Sequence, residues 1–329
     1  MKFIHIADVH ASRERLQQTL HILKSLKDKT ESEDIDFILF AGDFWDSTIT
    51  ATKGSGFSDI ISSVRKLEKN TRLFFIYGTP SHEPMGSLDA FYSNRTKVFS
   101  KFDIETISLL DRIVKIVFIP EPRRSDFISN STEKTDNAIN KYFDNIISMA
   151  KKETSGYSTI VVYHGEVRGA VYQNGVYASS PTAIAKEKLE FLNAGYYALG
   201  HIHLPQEVFK NAYYSGSANP KNFGETHDGS YNLVSIESNN VKVERISLGL
   251  PTYQTIQLTD IKNPVGGDFS SKYIRVQVEC TKEDKKNIDI RALSDEIKKN
   301  TNALPARAKF LTFLCQHEIP KLFQQPCPP

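Results

Sequence analysis

Residues able to bind metal gather at five places in this 329-residue chain, each where a strand-like apolar run ends. Ile4-His5-Ile6-Ala7 leads to Asp8-Val9-His10, and Phe37–Phe40 leads to Gly42-Asp43 with Asp46 beyond. Leu73–Tyr77 leads to Gly78-Thr79-Pro80-Ser81-His82-Glu83, Thr159–Tyr163 to His164, and Tyr196–Leu199 to Gly200-His201-Ile202-His203. In an open α/β sheet the strand ends converge on one crevice, so donors far apart in sequence can meet there. Side chains two apart on a strand point the same way, so Asp8/His10 and His201/His203 each offer a pair of donors. Gly42 permits close backbone approach beside Asp43. Carboxylate oxygen with imidazole nitrogen suits manganese, iron or zinc, and the donors suffice for two ions. A lone histidine beside a strand is more often a structural residue, but five such segments together argue for a two-metal hydrolase.

The elements that must position these residues alternate strand and helix over the first two hundred positions. Ser12 is placed to cap a helix whose apolar positions Leu16, Leu20, Leu23 and Leu26 recur at three or four. Phe37-Ile38-Leu39-Phe40 reads as a strand covered on both faces. A Gly54-Ser55-Gly56 loop precedes a helix carrying Ile60, Ile61, Val64 and Leu67. Further strands are expected at Leu73–Tyr77, Ile113–Ile119, Thr159–Tyr163 and Tyr196–Leu199. Residues from about 123 to 158 are polar and read as a surface excursion with a helix near Ala138–Lys151. Short β runs follow at Ala212–Ser215, Asn232–Ile236 and Val241–Leu248, with turns at Asp228-Gly229 and Asn239-Asn240. A boundary is expected near Gly249–Pro251, dividing the chain into domains 1–250 and 251–329. The second reads β-α-β, with Tyr273–Val278, Ile290–Lys299 and Lys309–Leu314, and a frayed end at Gln324–Pro329.

Composition sets the outer bounds. Hydrophobic content of 40% with 24% charged residues is that of an ordinary globular protein. No apolar run is long enough for a membrane span, and Met1-Lys2-Phe3 leads straight into a strand without a signal peptide. Cys280, Cys315 and Cys327 lack metal-ligand spacing and read as free thiols of a cytoplasmic protein. The net charge of +2 makes no case for nucleic acid by itself. After residue 250 there are 12 basic and 9 acidic residues, a mild basic excess.

The order Asp-x-His, Gly-Asp-x-x-Asp, Gly-…-His-Glu, His, Gly-His-x-His resembles the calcineurin-like metallophosphoesterase superfamily. Within it the chain looks most like the SbcD-type nucleases of DNA double-strand-break repair, through Ala198-Leu199-Gly200-His201-Ile202-His203-Leu204-Pro205-Gln206, Ser215-Gly216-Ser217 and Phe223-Gly224-Glu225. The resemblance covers about residues 1–250 and is looser beyond. It implies an α/β fold, a four-layer α/β/β/α metallophosphoesterase sandwich with a small C-terminal α/β cap domain. It also implies two divalent metal ions, manganese first and iron or zinc as alternatives. One would be held by Asp8, His10 and His203, the other by His164, His201 and Ser81, with Asp43 bridging. His82 would act outside the metals as the catalytic group, and Asp46 would hydrogen-bond the site from behind its ligands, a plain turn aspartate being the alternative. The family's usual Gly-Asn-His-Asp/Glu is replaced here by a segment two residues longer, with Ser81 where the metal-binding Asn is expected. A hydroxyl is a poorer donor than an amide oxygen, so the second metal is expected to be weaker.

By this resemblance the chain is a DNA exo/endonuclease working in the cytoplasm on DNA, as a homodimer with an SbcC-type ABC ATPase and without membrane. Little chain remains for the helical segment that docks the ATPase in that family, so that segment is expected to be absent or reduced to Phe310–Phe323. Two other readings stay open: a metallophosphatase or phosphodiesterase on a small or phosphoprotein substrate, and a weakened DNA-binding subunit with little turnover. Tyr92, Arg95, Lys97 and Arg123-Arg124 read first as solvated surface and second as a DNA path. Arg168, Tyr172 and Tyr177, which follow His164, are placed to touch substrate.

Overall fold

The computed structural model describes residues 1–46, 56–109, 112–127, 131–238, 240–259, 267–280, 282–304 and 311–315, with 282–284 and 311–315 described by backbone alone. Gly54, Ser55, Asn239, Lys309, Phe310, the stretch 316–323, Gln324–Pro329 and Cys327 lie outside the described residues. The chain divides into two compact units, Met1–Asn219 with Gly229–Gly249, and Pro220–Asp228 with Leu250–Pro329.

The first unit contains two sheets. In one, β1 (Lys2–Ile6), β2 (Phe37–Phe40), β3 (Arg72–Ile76) and β4 (Thr96–Phe99) run parallel, with β11 (Ser230–Glu237) and β12 (Asn240–Ser247) added antiparallel beside β1. In the other, β6 (Ile113–Ile119), β7 (Ser158–His164), β8 (Tyr196–Gly200) and β10 (Ala212–Tyr214) run parallel. Antiparallel β5 (Asp103–Ser108) and β9 (Gln206–Phe209) flank them. Because strand side chains alternate, each central strand must bury two faces. On β1, Phe3 and Ala7 enter the core between the sheets while Ile4 and Ile6 are buried on the opposite side.

The interior joins Phe3, Phe37, Phe74 and Phe99 of the first sheet to Phe118 and Tyr196 of the second. Phe99 stacks on Phe118 with ring centroids 3.8 Å apart, and Phe3 meets Tyr196 edge-on at 5.4 Å. Each such buried ring stabilises the fold by roughly 1.5–3 kcal/mol. His5 brings polar groups into this interior. The carbonyl of Leu199 can only accept, so His5 donates to it from Nε2 (3.2 Å), leaving Nδ1 to accept from the Tyr196 hydroxyl (3.0 Å).

Helices complete the four layers. On the first sheet's side, α1 (Leu16–Ser32) and α2 (Phe57–Leu67) pack together, burying Ile22, Leu23 and Leu26 against Ile60, Val64 and Leu67. The second sheet is covered by α3 (Thr132–Thr154) and α4 (Lys186–Glu190). The stretch read as a surface excursion is corrected here. Its helix is 23 residues long and buries Ile139, Phe143, Ile146, Ile147 and Ala150 in the core. Ser12 is also corrected: it precedes a 3-10 turn at Arg13–Arg15, makes no capping hydrogen bond, and the α-helix starts at Leu16.

In the second unit β13 (Thr252–Leu258), β14 (Lys272–Cys280) and β15 (Leu311–Cys315) form a parallel sheet, with α5 (Lys282–Asn287) and α6 (Ile290–Thr301) between the last two strands in sequence. Asp289 caps α6 by accepting from the N–H groups of Arg291 and Ala292. Leu293 and Ile297 of α6 close a core with Ile274, Val276 and Val278. Phe223 of the Phe223-Gly224-Glu225 motif packs edge-on against Tyr253 at 5.1 Å and lies under the Arg275 guanidinium.

Candidate metal centre

The strand ends deliver the site. β1 is followed by Asp8 and His10, β2 by Asp43 and Asp46, and β3 by the Gly78–Glu83 loop with His82. From the second sheet, β6 is followed by Glu121, β7 ends on His164, and β8 is followed by His201 and His203. Donors therefore come from both sheets. The loops are laced together by backbone bonds, Asp8 N–H to the Gly42 carbonyl (3.1 Å) and His10 N–H to that of Asp43 (3.0 Å). Asp8, His10, Asp43 and His201 all have left-handed backbones, with φ of 53°, 45°, 50° and 102°. Each costs of order 1–2 kcal/mol, and such strain concentrates where a side chain must be aimed. Gly42 (φ +86°) lies so close to His164 that a Cβ there would fall 2.6 Å from the ring's Cγ.

Hydrogen bonds fix the imidazole tautomers. His164 donates from Nδ1 to the Ala41 carbonyl (2.7 Å), which turns Nε2 toward Asp43 Oδ1 at 3.5 Å. His10 has Nδ1 3.3 Å from Asp46 Oδ1, and its Nε2 faces Nε2 of His203 at 3.0 Å. His82 donates from Nδ1 to the Asp46 carbonyl (2.6 Å) and packs edge-on against His10. A carboxylate or carbonyl behind a ring is the usual way a metal-binding histidine is held.

Four sets of donor atoms each lie mutually within 4.8 Å: Asp8/His10/His203, Asp8/Asp43/His164, Glu121/His164/His201 and His10/Asp46/His82. Asp8 and His164 are fully buried and Asp43 nearly so. Burial, with Asp43 beside it, pushes Asp8 up to about 6 against the pull of His203 and His164. Burial also opposes ionisation of Asp43, but the facing imidazoles of His164, His10 and His82 hold its carboxyl well below the usual range. For His164, burial is outweighed by Asp43, Asp8 and Glu121, raising it to about 10, while burial and His164 lower His201 to about 4. Among the described residues, the ion pairs of Asp8, Asp43 and Glu121 are all with imidazoles. Buried carboxylates and imidazoles with facing lone pairs fit divalent cations by donor chemistry.

Among the residues expected from sequence, Asp8, His10, Asp43, His164, His201 and His203 are brought together, with Asp46 behind His10. Ser81 is not. It is exposed, whereas Asp8, His10, Asp43 and His164 are buried. The chain turns after Gly78, where the N–H groups of His82 and Glu83 both donate to the Thr79 carbonyl (2.9 Å each), so the two extra residues loop outward. Thr79 keeps the place beside Asp43: its N–H donates to Oδ1 (2.6 Å), and its hydroxyl lies 3.1 Å from Oδ2 and 3.4 Å from both His164 Nε2 and His201 Nδ1. Glu83, fully buried, accepts from the N–H groups of Phe44 and Gly78 (2.6 Å each), joining the two loops; burial and Asp43 raise it to about 7. Arg123 donates to the Glu83 carbonyl (2.6 Å) and Arg124 pairs with Asp136. Arg168 and Tyr177 are exposed and Tyr172 half-buried. In the Ser215-Gly216-Ser217 motif, Ser217 donates its N–H to the His203 carbonyl (3.1 Å). Sequence reasoning passes over Glu121, although the apolar Ile113–Ile119 run ending in Pro120-Glu121-Pro122 carries the same strand-end signal as the others.

A model of the calcineurin-like phosphoesterase family matches residues 1–205. Among curated proteins, the SbcD component of the nuclease SbcCD from Staphylococcus epidermidis is 21% identical over 257 residues, 73% of this chain and 67% of that protein. Similar solved structures include GAP50, the anchor in the inner membrane complex of Plasmodium, at 16% identity and TM-score 0.49 over 75% of this chain and 84% of that one. A putative 5'-nucleotidase from Staphylococcus aureus in complex with alpha-ketoglutarate has 14% identity and TM-score 0.46, over 74% and 52% of the two chains. An archaeal phosphodiesterase has 13% identity and TM-score 0.35, over 75% and 100%.

Proposed function

The chain belongs to the calcineurin-like phosphoesterase family and is thereby a phosphoester hydrolase, and from that premise we propose that its substrate is DNA, cleaved in the manner of SbcD-type nucleases during end processing and double-strand-break repair. The observation that carries the reading is the convergence of Asp8, His10, Asp43, His164, His201 and His203 from two sheets, with lone pairs facing one another. The likeness to the SbcD component of SbcCD supports DNA as the substrate. It also supports an SbcC-type ATPase partner, a homodimer and work in the cytoplasm. No described helix is long and apolar enough to cross a membrane.

Asp8, His10 and His203 would hold one cation, and His164 and His201 the other, with Asp43 shared between them. Two divalent ions held there, manganese first, would supply an acidified water and neutralise charge on the phosphate. The chain's own residues do the rest. Asp46 keeps the His10 Nε2 lone pair turned toward His203, and the Ala41 carbonyl does the same for His164 toward Asp43. His82, held at Nδ1 by the Asp46 carbonyl, keeps Nε2 available to orient the scissile phosphate or protonate the leaving oxygen. Lysines and arginines of the second unit, Arg275 over Phe223 among them, serve DNA affinity through phosphate contacts.

The test is a matrix of Mn²⁺, Fe²⁺ and Zn²⁺ against linear duplex DNA, single-stranded DNA and bis(p-nitrophenyl) phosphate. DNA cleavage strongest with Mn²⁺ and abolished in Asp43→Asn is expected. Hydrolysis of the small diester without DNA cleavage would replace this reading with a small-substrate phosphodiesterase. DNA binding with no hydrolysis of either would leave only a binding subunit.

A further inference from the structure

We propose that Glu121 is a direct ligand of the second cation site, sharing with Thr79 the role that the family's Gly-Asn-His motif gives to a neutral amide. The inference rests on the metal-dependent reading above and concerns this chain's own departure from its family.

Three observations carry it. First, Glu121 Oε2 is buried and makes no hydrogen bond. A buried carboxylate oxygen without a hydrogen bond is costly unless something occupies its lone pairs. Second, this oxygen lies 3.9 Å from His164 Nε2 and 3.8 Å from His201 Nδ1. Those separations are too long for hydrogen bonds, which end near 3.2 Å. They suit donors sharing one ion, because ligand bonds of roughly 2.0–2.2 Å place two donors up to about 4.4 Å apart. Other carboxylate–imidazole pairs in this cluster have similar spacing, 3.8 Å for Asp8 and His203 and 3.5 Å for Asp43 and His164. Third, the residue is stiffly mounted. Pro120 and Pro122 flank it and restrict its backbone just past β6.

The chemistry of the site explains the need. Thr79 stands where the motif would supply its Asn, and a hydroxyl alone is a weak donor. A carboxylate reaching in from the neighbouring strand end restores an oxygen ligand and adds a negative charge. The cation is then bound more firmly, and the site presents less positive charge to the phosphate than an amide-liganded pair would.

The experiment measures Mn²⁺ uptake by equilibrium dialysis, with metal quantified by mass spectrometry and folding checked by circular dichroism. It uses the full chain as wild type, Glu121→Gln, Glu121→Ala, and Glu121→Ala combined with Thr79→Asn. Wild type is expected to take two Mn²⁺. Glu121→Gln and Glu121→Ala should weaken one of them at least about tenfold, and Thr79→Asn should recover part of that loss. Two Mn²⁺ bound by Glu121→Gln with wild-type affinities would overturn the assignment while leaving the dinuclear phosphoesterase intact. A single Mn²⁺ in wild type, unweakened by Glu121→Gln, would overturn both. Loss of DNA cleavage plays no part in the readout, so failure of the DNA reading stays separate.

Discussion

Gly42 and Gly156 form a matched pair, because their φ angles are nearly equal and their surroundings are not. Gly42 has φ +86° and Gly156 has φ +83°, so an alanine meets similar left-handed strain at either position. That strain is worth of order 1–2 kcal/mol. Around Gly156 nothing lies within 4 Å of an added Cβ. At Gly42 the Cβ would stand 2.6 Å from His164 Cγ and 2.9 Å from the Gly78 Cα, where ordinary contact begins at 3.4 Å. Because the ring's Nδ1 would stand closer still, His164 must retreat by more than about 0.8 Å, breaking its aim at Asp43; a misplacement of about 1 Å can cost roughly 10²-fold in rate. Crowding of this kind adds about 1–3 kcal/mol of destabilisation. Gly156→Ala should thus melt slightly early with full activity, while Gly42→Ala should lose about 10²-fold in kcat on bis(p-nitrophenyl) phosphate with Mn²⁺ and melt earlier still. Thermal unfolding and steady-state kinetics of the two variants decide the matter. Equal effects, or an active Gly42→Ala, would show that the glycine serves only the turn and that His164 is not held by this packing.

Three further outcomes are expected. His82→Ala should keep both metals and lose turnover by roughly 10²–10⁴-fold, the range for a positioned acid–base group; metal analysis showing a lost ion would place His82 among the ligands instead. Asp46→Asn should weaken Mn²⁺ binding by about 10–100-fold, because the ring of His10 loses its anionic support; unchanged affinity in a dialysis titration would reduce Asp46 to a turn residue. His5, lowered to about 3 by burial against the lesser opposing effect of its Leu199 hydrogen bond, stays neutral in the fold while the unfolded chain's histidine takes up a proton below about 6.5. Its contribution is present above that pH and is lost at roughly 1.4 kcal/mol per unit as pH falls toward 3. Denaturant melts of wild type and His5→Gln should therefore diverge in pH slope between pH 6.5 and 4.5, and parallel slopes would refute the assignment.

What can be read from sequence follows from which signals are local. Phe37–Phe40 and Ile113–Ile119 are apolar runs because both faces of a central strand are covered, so they stand out without any neighbour. Thr96–Phe99 and Thr252–Leu258 intersperse Thr, Lys or Gln among their apolar residues and, without a continuous apolar run, pass as loop. Thr132–Thr154 reads as surface because its charged face outnumbers a stripe of five core residues, and only the second sheet shows that the stripe is needed. Donor residues are local, and six of them can be named from strand ends alone. Counting back from His82 to Ser81 assumes a fixed path, whereas the turn closed on the Thr79 carbonyl leaves Ser81 exposed and Thr79 beside Asp43. Glu121 escapes notice for a different reason: glutamate is ordinary after a strand, and only proximity to His164 and His201 marks it out.

The division of donors between the two sheets has a thermodynamic corollary. Asp8, His10 and Asp43 hang from one sheet, and Glu121, His164, His201 and His203 from the other, so a cation ligated from both acts as a clasp across the sandwich. Opening the sandwich would then require giving up the ions, and free metal would oppose unfolding by mass action, by about 2.7 kcal/mol at one hundred times the dissociation constant. The melting temperature should rise with free Mn²⁺ and fall with a chelator. In a cell, fluctuations in available metal would set the lifetime of the folded chain as well as its turnover.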